Sequence, residues 1–311
     1  MKKAVLLLGL LALPAGSHAA ATSGPIALVT AETQNELLAV DLGSGRVVRR
    51  LAMPADPENV ETNSRTAVVV STRAGTVTLV DVRRLRVRAT IRGFGSPHIA
   101  ALSADGRYAY VTDDPRGQLV VIGLARARVV RRVFVCIGAH HLAFRPHYRQ
   151  VWVICGERAG TIAIVGVRNL SRPRRIGLFD PGLLAHDLAF PAGGRRLWVT
   201  ADEGKWIAVF DARTRRRVRS LRAGSPPQHV AVRRYVYVTS GNDGRLRIFS
   251  VGGRLLGVAT VPAGSYNLGL GPGRVLTSSL SDGTLTELGV SGRQLLSARV
   301  APAARDVASV P

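Results

Sequence analysis

Short apolar strands with alternating polar positions recur along nearly the whole chain. Residues 96–133 show the pattern most clearly, and their alternation predicts strands at 98–102, 108–112, 118–123 and 129–135. Asp-Gly, Pro and Gly residues separate these runs, as meandering antiparallel strands require. Because no stretch shows a convincing helical period, we predict an all-β protein.

The strand pattern is repeated at a regular interval. A small polar residue precedes the first strand of each unit, and successive examples lie 38 to 46 residues apart. The seven positions are Asn59, His98, His141, Asp187, His229, Asn267 and Asp306. A period near 40 with four strands per unit is typical of a β-propeller. We therefore predict seven four-stranded antiparallel blades, with the ring closed by pairing of the N-terminal and C-terminal strands.

Two short motifs within the repeat identify its type. The second strand reads Tyr-Val-Thr-Asp at 110–113, with related forms at 198–201 and 237–240. The third strand recurs as Gly-x-Val-x-Leu-Val-Asp at 75–81 and in a similar form at 205–211. These motifs resemble the YVTN-type (YncE-like) β-propeller repeat over essentially the whole mature chain. The resemblance implies a fold more strongly than a function, because propellers support many unrelated activities.

The N-terminal residues have the features of a bacterial secretory signal peptide. Lys2 and Lys3 precede an apolar run, and small residues then form a cleavage site near Ala19 and Ala21. We expect residues 1–21 to be a signal peptide and residues 22–311 to form one propeller domain. The mature protein is then exported to the periplasm or the medium as a monomer. No later apolar run is long enough for a transmembrane segment.

The chain is strongly basic. It has 43 Lys and Arg residues against 20 Asp and Glu residues, and a formal net charge of +23. Such a surface attracts nucleic acid, anionic lipid or acidic polysaccharide. The arginine pairs are spread over many blades, however, and aromatic residues for base stacking are few. The sequence therefore favours a general effect of composition over a dedicated binding groove.

The seven repeated polar residues are predicted to surround one mouth of the central channel, where propellers usually bind ligands. The candidate ligand-binding residues are Asn59, His98, His141, His186, Asp187, His229, Asn267 and Asp306. Five of the six histidines of the mature chain lie at this level, and only His147 lies elsewhere.

Two interpretations of this ring remain open. In the first, the ring is structural or binds a ligand by ordinary polar contacts, since the YVTN-type consensus often has His at this position. In the second, neighbouring members hold a metal ion, with His98, His140, His141 and Asp187 as candidates. No helical zinc motif supports the second interpretation, so the sequence predicts no cofactor and favours the first.

The two cysteines also allow two interpretations. Cys136 and Cys155 lie near the same end of adjacent predicted blades, and a disulfide suits an exported protein. The alternative is a Cys–His metal site that includes His140 or His141.

The leading functional hypothesis is an exported binding or scaffold protein without catalytic residues. Its partner would be another protein, an envelope polymer or a small molecule. A second hypothesis is a metal-dependent lactonase or lyase, as found among similar propellers, with oxygen ligands for a hard ion such as Ca²⁺. Those ligands would be Glu58, Asn59, Asp187, Asn267 and Asp306. A third is binding of DNA or another anionic surface through the basic charge.

Overall fold

The computed structural model describes residues 24–156 and 160–310. The predicted signal peptide, residues 1–21, lies outside the described residues. The described chain forms seven four-stranded sheets in which sequential strands pair in antiparallel fashion. This arrangement is the predicted seven-bladed β-propeller. Two short 3-10 helices, Glu32–Gln34 and Gly241–Asp243, are the helical elements of the described part.

The blades are numbered from the one that contains the N-terminal strand. Blade 1 contains β1 (Ile26–Ala31), β2 (Glu36–Asp41), β3 (Val47–Ala52) and the C-terminal β28 (Val307–Ser309). Blade 2 contains β4 (Pro57–Thr62), β5 (Thr66–Ser71), β6 (Thr76–Asp81) and β7 (Arg86–Arg92). Blade 3 contains β8 (Pro97–Leu102), β9 (Tyr108–Asp113), β10 (Gln118–Gly123) and β11 (Arg128–Phe134). Blade 4 contains β12 (Leu142–Arg145), β13 (Gln150–Cys155), β14 (Thr161–Gly166) and β15 (Arg174–Phe179).

The remaining blades follow the same order. Blade 5 contains β16 (Ala185–Ala189), β17 (Arg196–Ala201), β18 (Trp206–Asp211) and β19 (Arg217–Arg222). Blade 6 contains β20 (Val230–Val232), β21 (Val236–Ser240), β22 (Arg245–Phe249) and β23 (Leu255–Thr260). Blade 7 contains β24 (Ser265–Gly271), β25 (Arg274–Ser279), β26 (Thr284–Gly289) and β27 (Gln294–Arg299).

The two ends of the described chain close the ring in one sheet. Strand β28 pairs with β1, with Ala27 opposite Ser309 and Val29 opposite Val307. Without β28, the inner edge of β1 would expose unpaired backbone groups, and such edges invite non-native pairing. The predicted closure is confirmed.

The hydrophobic core lies between the blades. Each apolar cluster is shared by two neighbouring sheets, so that the middle strands of every blade are buried on both faces. The motif aromatics contribute to these clusters, and Tyr110, Trp198 and Tyr237 are almost fully buried. The Tyr110 hydroxyl donates to the carbonyl of Leu170 in the next blade at 2.5 Å. Packing and hydrogen bonding therefore both join each sheet to its neighbour.

No helix among residues 24–156 and 160–310 is long and apolar enough to cross a membrane.

Candidate functional site

The innermost strands are irregular at one mouth of the channel. In blade 3 the register between β8 and β9 shifts between Pro97 and Ala100, so His98 and Ile99 have no direct partner in the ladder. Blade 5 has the corresponding shift at His186 and Asp187. A β-bulge of this kind bends the strand and redirects its side chains. The bulges therefore orient the repeated polar residues at the channel mouth.

The threonine of the Tyr-Val-Thr motif supports each bulge. The Thr112 hydroxyl accepts a hydrogen bond from the Ile99 amide at 3.1 Å. The Thr200 hydroxyl accepts from the Asp187 amide at 2.9 Å, and Thr239 accepts from the His229 amide at 3.3 Å. In blades 3 and 5 the threonine thus pairs a backbone amide that the shifted ladder leaves open, and in blade 6 it makes the same bond beside a regular ladder.

The asparagines and aspartates of the ring connect neighbouring blades. The Asp306 carboxylate accepts hydrogen bonds from the Asn59 side chain at 2.8 Å and from the Val60 amide at 2.9 Å. Asn59 in turn accepts from the Ala100 amide at 2.9 Å. These bonds are buried and join blades 1, 2 and 3.

Two further members of the ring have similar roles. Asp187 accepts from the Val230 amide of blade 6 at 2.9 Å, and Asn267 donates to the Arg305 carbonyl at 2.8 Å. The Asp187 carboxylate is therefore engaged in a structural bond between blades, unlike the open oxygen ligands that Ca²⁺ requires.

The five histidines converge on one side of the mouth. His98 and His140 stack with ring centroids 3.7 Å apart. His141 lies 5.2 Å from His98, 5.0 Å from His186 and 5.0 Å from His229 by the same measure. Four blades, 3 to 6, thus contribute imidazoles to one cluster, which we call the histidine cluster.

The histidine cluster contains two sets of three residues that share His141. One set is His98, His140 and His141, and the other is His141, His186 and His229. Within each set, one nitrogen from every ring lies within 4.8 Å of the others. Such spacing suits coordination of one ion by each set. Both sets combine residues of consecutive blades, blades 3 and 4 in the first set and blades 4 to 6 in the second.

Carboxylates face nitrogens of four of the rings, and the longest of these contacts joins His140 Nε2 to Asp114 at 3.9 Å. The Nδ1 atom of His98 lies 3.3 Å from a Glu58 oxygen. The Nδ1 atom of His186 lies 3.2 Å from Asp202, and that of His229 lies 3.4 Å from Asp187. A neutral imidazole that donates its Nδ1 proton to a carboxylate keeps the Nε2 lone pair available.

His141 is the most buried member of the cluster, with 3% of its surface exposed. Its Nδ1 lies 2.8 Å from the Nδ1 of His140. Its Nε2 is buried and has no hydrogen-bond partner. A buried polar atom without a partner destabilises the fold unless a ligand or water satisfies it. The Nε2 of His141 is therefore open to a ligand or a water molecule.

A disulfide fixes the segment that contains His140 and His141. Cys136 and Cys155 are bonded, with their Cα atoms 5.7 Å apart, so neither supplies a thiolate ligand. The His140 amide donates to the Ile154 carbonyl at 2.9 Å, and the Ile154 amide donates to the His141 carbonyl at 2.8 Å. Restraint of this kind holds ligands in place before an ion binds.

Burial favours the neutral form of three histidines, His140, His141 and His186. Burial and the neighbouring rings lower the pKa of His140 to about 3, and burial lowers the pKa of His186 to about 4. Burial also lowers the pKa of His141, and the nearby histidines add to this effect. Neutral imidazole is the form that coordinates a metal ion.

Two acidic groups at this site had no clear signal in the sequence. Asp202 follows β17 and pairs with His186, but turn aspartates are too common to single it out. Glu61 lies on the innermost strand β4, where burial and the neighbouring Asp306 raise its pKa to about 8. Only the ring arrangement brings these carboxyl groups close to the channel residues.

The depressed histidine pKa values predict acid sensitivity of the metal-free protein. The unfolded chain binds protons on these histidines below about pH 6.5, whereas the folded chain does so only near pH 3 to 4, so stability falls as pH falls through this window. We expect the Tm in EDTA to drop by roughly 5 °C between pH 7 and pH 5. The variant His140→Asn/His186→Asn should lose less than half as much, as measured by calorimetry.

Glu61 provides the control for this experiment. Its raised pKa has the opposite effect, because the buried carboxyl is destabilising when it ionises as pH rises from about 4.5 to about 8. The variant Glu61→Gln should therefore show a steeper loss of Tm on acidification than the wild type. Equal slopes in all three proteins would refute this assignment of the titrating groups.

The fold defines the protein as a seven-bladed β-propeller. Residues 61–177 match the family model for the cytochrome D1 heme domain. A stretch of 92 residues is 33% identical to YncE of Salmonella typhi, itself described as uncharacterized, and covers 29% of this chain and 26% of that protein. The match thus spans about a quarter of the length of this curated relative. Together with the seven blades, these matches support a YncE-like propeller protein.

Solved structures share the fold at low sequence identity. A functionally unknown protein from Desulfotomaculum acetoxidans is 13% identical with a TM-score of 0.81, covering 92% of this chain and 99% of that one. Apo AztD from Citrobacter koseri is 12% identical with a TM-score of 0.72, covering 92% and 97%. The dihydro-heme d1 dehydrogenase NirN, solved in complex with DHE, is 15% identical with a TM-score of 0.67, covering 93% and 66%.

The match to a heme domain raises the question of whether the histidine cluster fits a heme. A heme needs an axial ligand beside an open slot for its planar macrocycle. Here the imidazoles lie against one another, with centroids 3.7 to 5.2 Å apart, and leave no such slot between them. Each set of three histidines has the spacing of a site for one metal ion, whereas the cluster does not fit a tetrapyrrole.

Proposed function

We propose that this protein binds a transition-metal ion at the histidine cluster, as an exported, metal-binding propeller. The observation that carries the proposal is the pair of histidine sets that share the buried, unpartnered His141. One buried nitrogen of the cluster, the Nε2 of His141, has no hydrogen-bond partner, and folded proteins rarely leave such an atom unsatisfied. The proposal favours the metal interpretation over a purely structural ring.

The chemistry of the cluster selects the class of ion. Imidazole nitrogen suits Zn²⁺, Cu²⁺ and Ni²⁺, whereas Ca²⁺ and Mg²⁺ require oxygen ligands. The oxygen atoms of Asn59, Asp187 and Asp306 take part in bonds between blades. This arrangement counts against the enzyme hypothesis with a hard central ion. We expect Zn²⁺ or Cu²⁺ to bind and Ca²⁺ not to bind.

The carboxylates beside the cluster would hold the imidazole rings in place around the ion. Glu58, Asp187 and Asp202 would fix the rings of His98, His229 and His186 and increase the basicity of their free nitrogens. Such partners typically contribute about 10- to 100-fold to metal affinity. When bound, the ion would add positive charge close to these three carboxylates.

Metal titration of the purified mature protein tests the proposal. After treatment with EDTA, the wild type should bind Zn²⁺ or Cu²⁺ stoichiometrically in isothermal titration calorimetry. The variant His98→Ala/His141→Ala/His229→Ala removes rings from both sets and should weaken binding by about 100-fold or more, since no set of three remains.

The chain offers a matched control in His147, the histidine that lies outside the cluster. The variant His147→Ala should bind the ion as the wild type does. Elemental analysis of protein purified without chelator provides an independent measurement. Absence of stoichiometric binding by the wild type, or equal affinity in the triple variant, would leave the cluster with a structural role and defeat the proposal.

A further inference from the structure

Away from the histidine cluster, on the opposite face of the propeller, lies a basic groove. Turns of blades 2 and 3 form most of it, with a contribution from Ser171 of blade 4. Its volume is about 1090 Å³. Seven arginines and two aspartates line it, which leaves five positive charges unbalanced. We call this feature the arginine groove.

The seven arginines fall into two groups. Arg84 pairs with Asp81 at 3.1 Å, Arg107 pairs with Asp105 at 2.6 Å, and Arg88 donates to the Leu124 carbonyl. The other four are exposed and form no ion pair with any described residue. These four are Arg65, Arg83, Arg126 and Arg128.

Neighbouring turns bring these four arginines together from distant parts of the sequence. Arg65 lies between β4 and β5, Arg83 between β6 and β7, and Arg126 between β10 and β11. Four like charges around one groove repel one another, and a bound anion removes this cost. The guanidinium fork matches the oxygens of a phosphate in a bidentate manner, so phosphate is the anion that such a set recognises best.

The groove lacks the stacking surface that a single-stranded nucleic acid requires. Single-stranded nucleic acids bind by base stacking on aromatic side chains. Tyr108 is the one aromatic side chain among the lining residues, and the Arg107 guanidinium lies 5.7 Å from the centre of its ring. The charge is therefore present without a stacking surface.

We propose that the arginine groove binds a ligand with several closely spaced phosphate groups and no aromatic base. An oligophosphate chain and a phosphorylated lipid headgroup share this chemistry. This site is separate from the histidine cluster and does not depend on the metal proposal.

Binding measurements with three probes test the inference. Tripolyphosphate is titrated by calorimetry in metal-free, low-salt buffer, and phosphatidic acid vesicles in phosphatidylcholine are tested by co-sedimentation. A single-stranded oligonucleotide is the third probe. The groove variant Arg65→Ala/Arg83→Ala/Arg126→Ala/Arg128→Ala should weaken binding of tripolyphosphate, of the vesicles, or of both by about tenfold or more, with a smaller dependence on salt. The response of each probe identifies the source of the phosphate.

A charge-matched variant on the same face is the control. Arg213→Ala/Arg216→Ala/Arg233→Ala/Arg234→Ala removes four exposed arginines from turns of blades 5 and 6 and should stay within about twofold of the wild type. The triple histidine variant should also bind as the wild type does. Equal losses in both arginine variants would show diffuse charge and overturn the proposal. It would also fail if neither phosphate probe bound, or if the oligonucleotide bound more tightly than both.

Discussion

Deletion of residues 304–311 is expected to destabilise the whole propeller and not merely to shorten its end. The deleted segment contains β28, which completes the inner edge of blade 1 by pairing with β1. It also contains Asp306, whose carboxylate accepts the bonds from Asn59 and Val60. Loss of the buried Ala304, Val307 and Ala308 removes apolar contacts as well.

The size of the effect follows from these contributions. The lost burial and hydrogen bonds together are on the order of 5 to 10 kcal/mol, comparable to the total stability of a typical domain. The Tm should fall by about 10 to 20 °C, as measured by differential scanning calorimetry. Exposure of the β1 edge should also promote aggregation.

A point variant and a rescue experiment make the test specific. Arg305 lies in the deleted segment, but its side chain forms only a partly exposed ion pair with Glu32 at 3.4 Å. The variant Arg305→Ala should therefore change stability by about 1 kcal/mol or less. A synthetic peptide of residues 303–311, added to the truncated protein, should restore part of the Tm by strand addition. An unchanged Tm after truncation would contradict the closure by β28.

Replacement of His141 alone is expected to weaken metal binding more than replacement of any other single histidine. His141 belongs to both sets of three, so the variant His141→Ala leaves no complete set. The variants His98→Ala and His229→Ala each leave one complete set. We expect a loss of about 100-fold for His141→Ala and about tenfold for each of the others, measured by competition with a chelator of known affinity.

The variant Asp202→Asn separates an effect on metal affinity from an effect on the stability of the fold. Asp202 contacts His186 at 3.2 Å and is largely exposed, so its replacement should leave the Tm of the metal-free protein nearly unchanged. Metal affinity should nevertheless fall by about tenfold, because the His186 ring loses its charged partner.

The three single histidine variants have their own decisive outcome. Equal losses of metal affinity in the His141→Ala, His98→Ala and His229→Ala variants would rule out His141 as a ligand shared by both sets.

The sequence alone determined the fold and the level of the site. Strand alternation and the spacing from Asn59 to Asp306 specified seven blades, because each repeat must bury its strands against the next one. The same spacing placed the histidines at one channel mouth, since equivalent positions in a propeller form a ring. These features follow from local periodicity and from the symmetry of the repeat.

The tertiary structure decided what the ring residues do. Asn59, Asp187, Asn267 and Asp306 bond across blades, whereas the histidines approach one another across the mouth, and no spacing distinguishes the two groups. Likewise, Arg65 and Arg126 are far apart in sequence yet line one groove, where the sequence suggested only scattered charge. Bulges, turns and the disulfide at Cys136 set these distances. Such distances depend on three-dimensional contacts between blades, which periodicity along one chain does not encode.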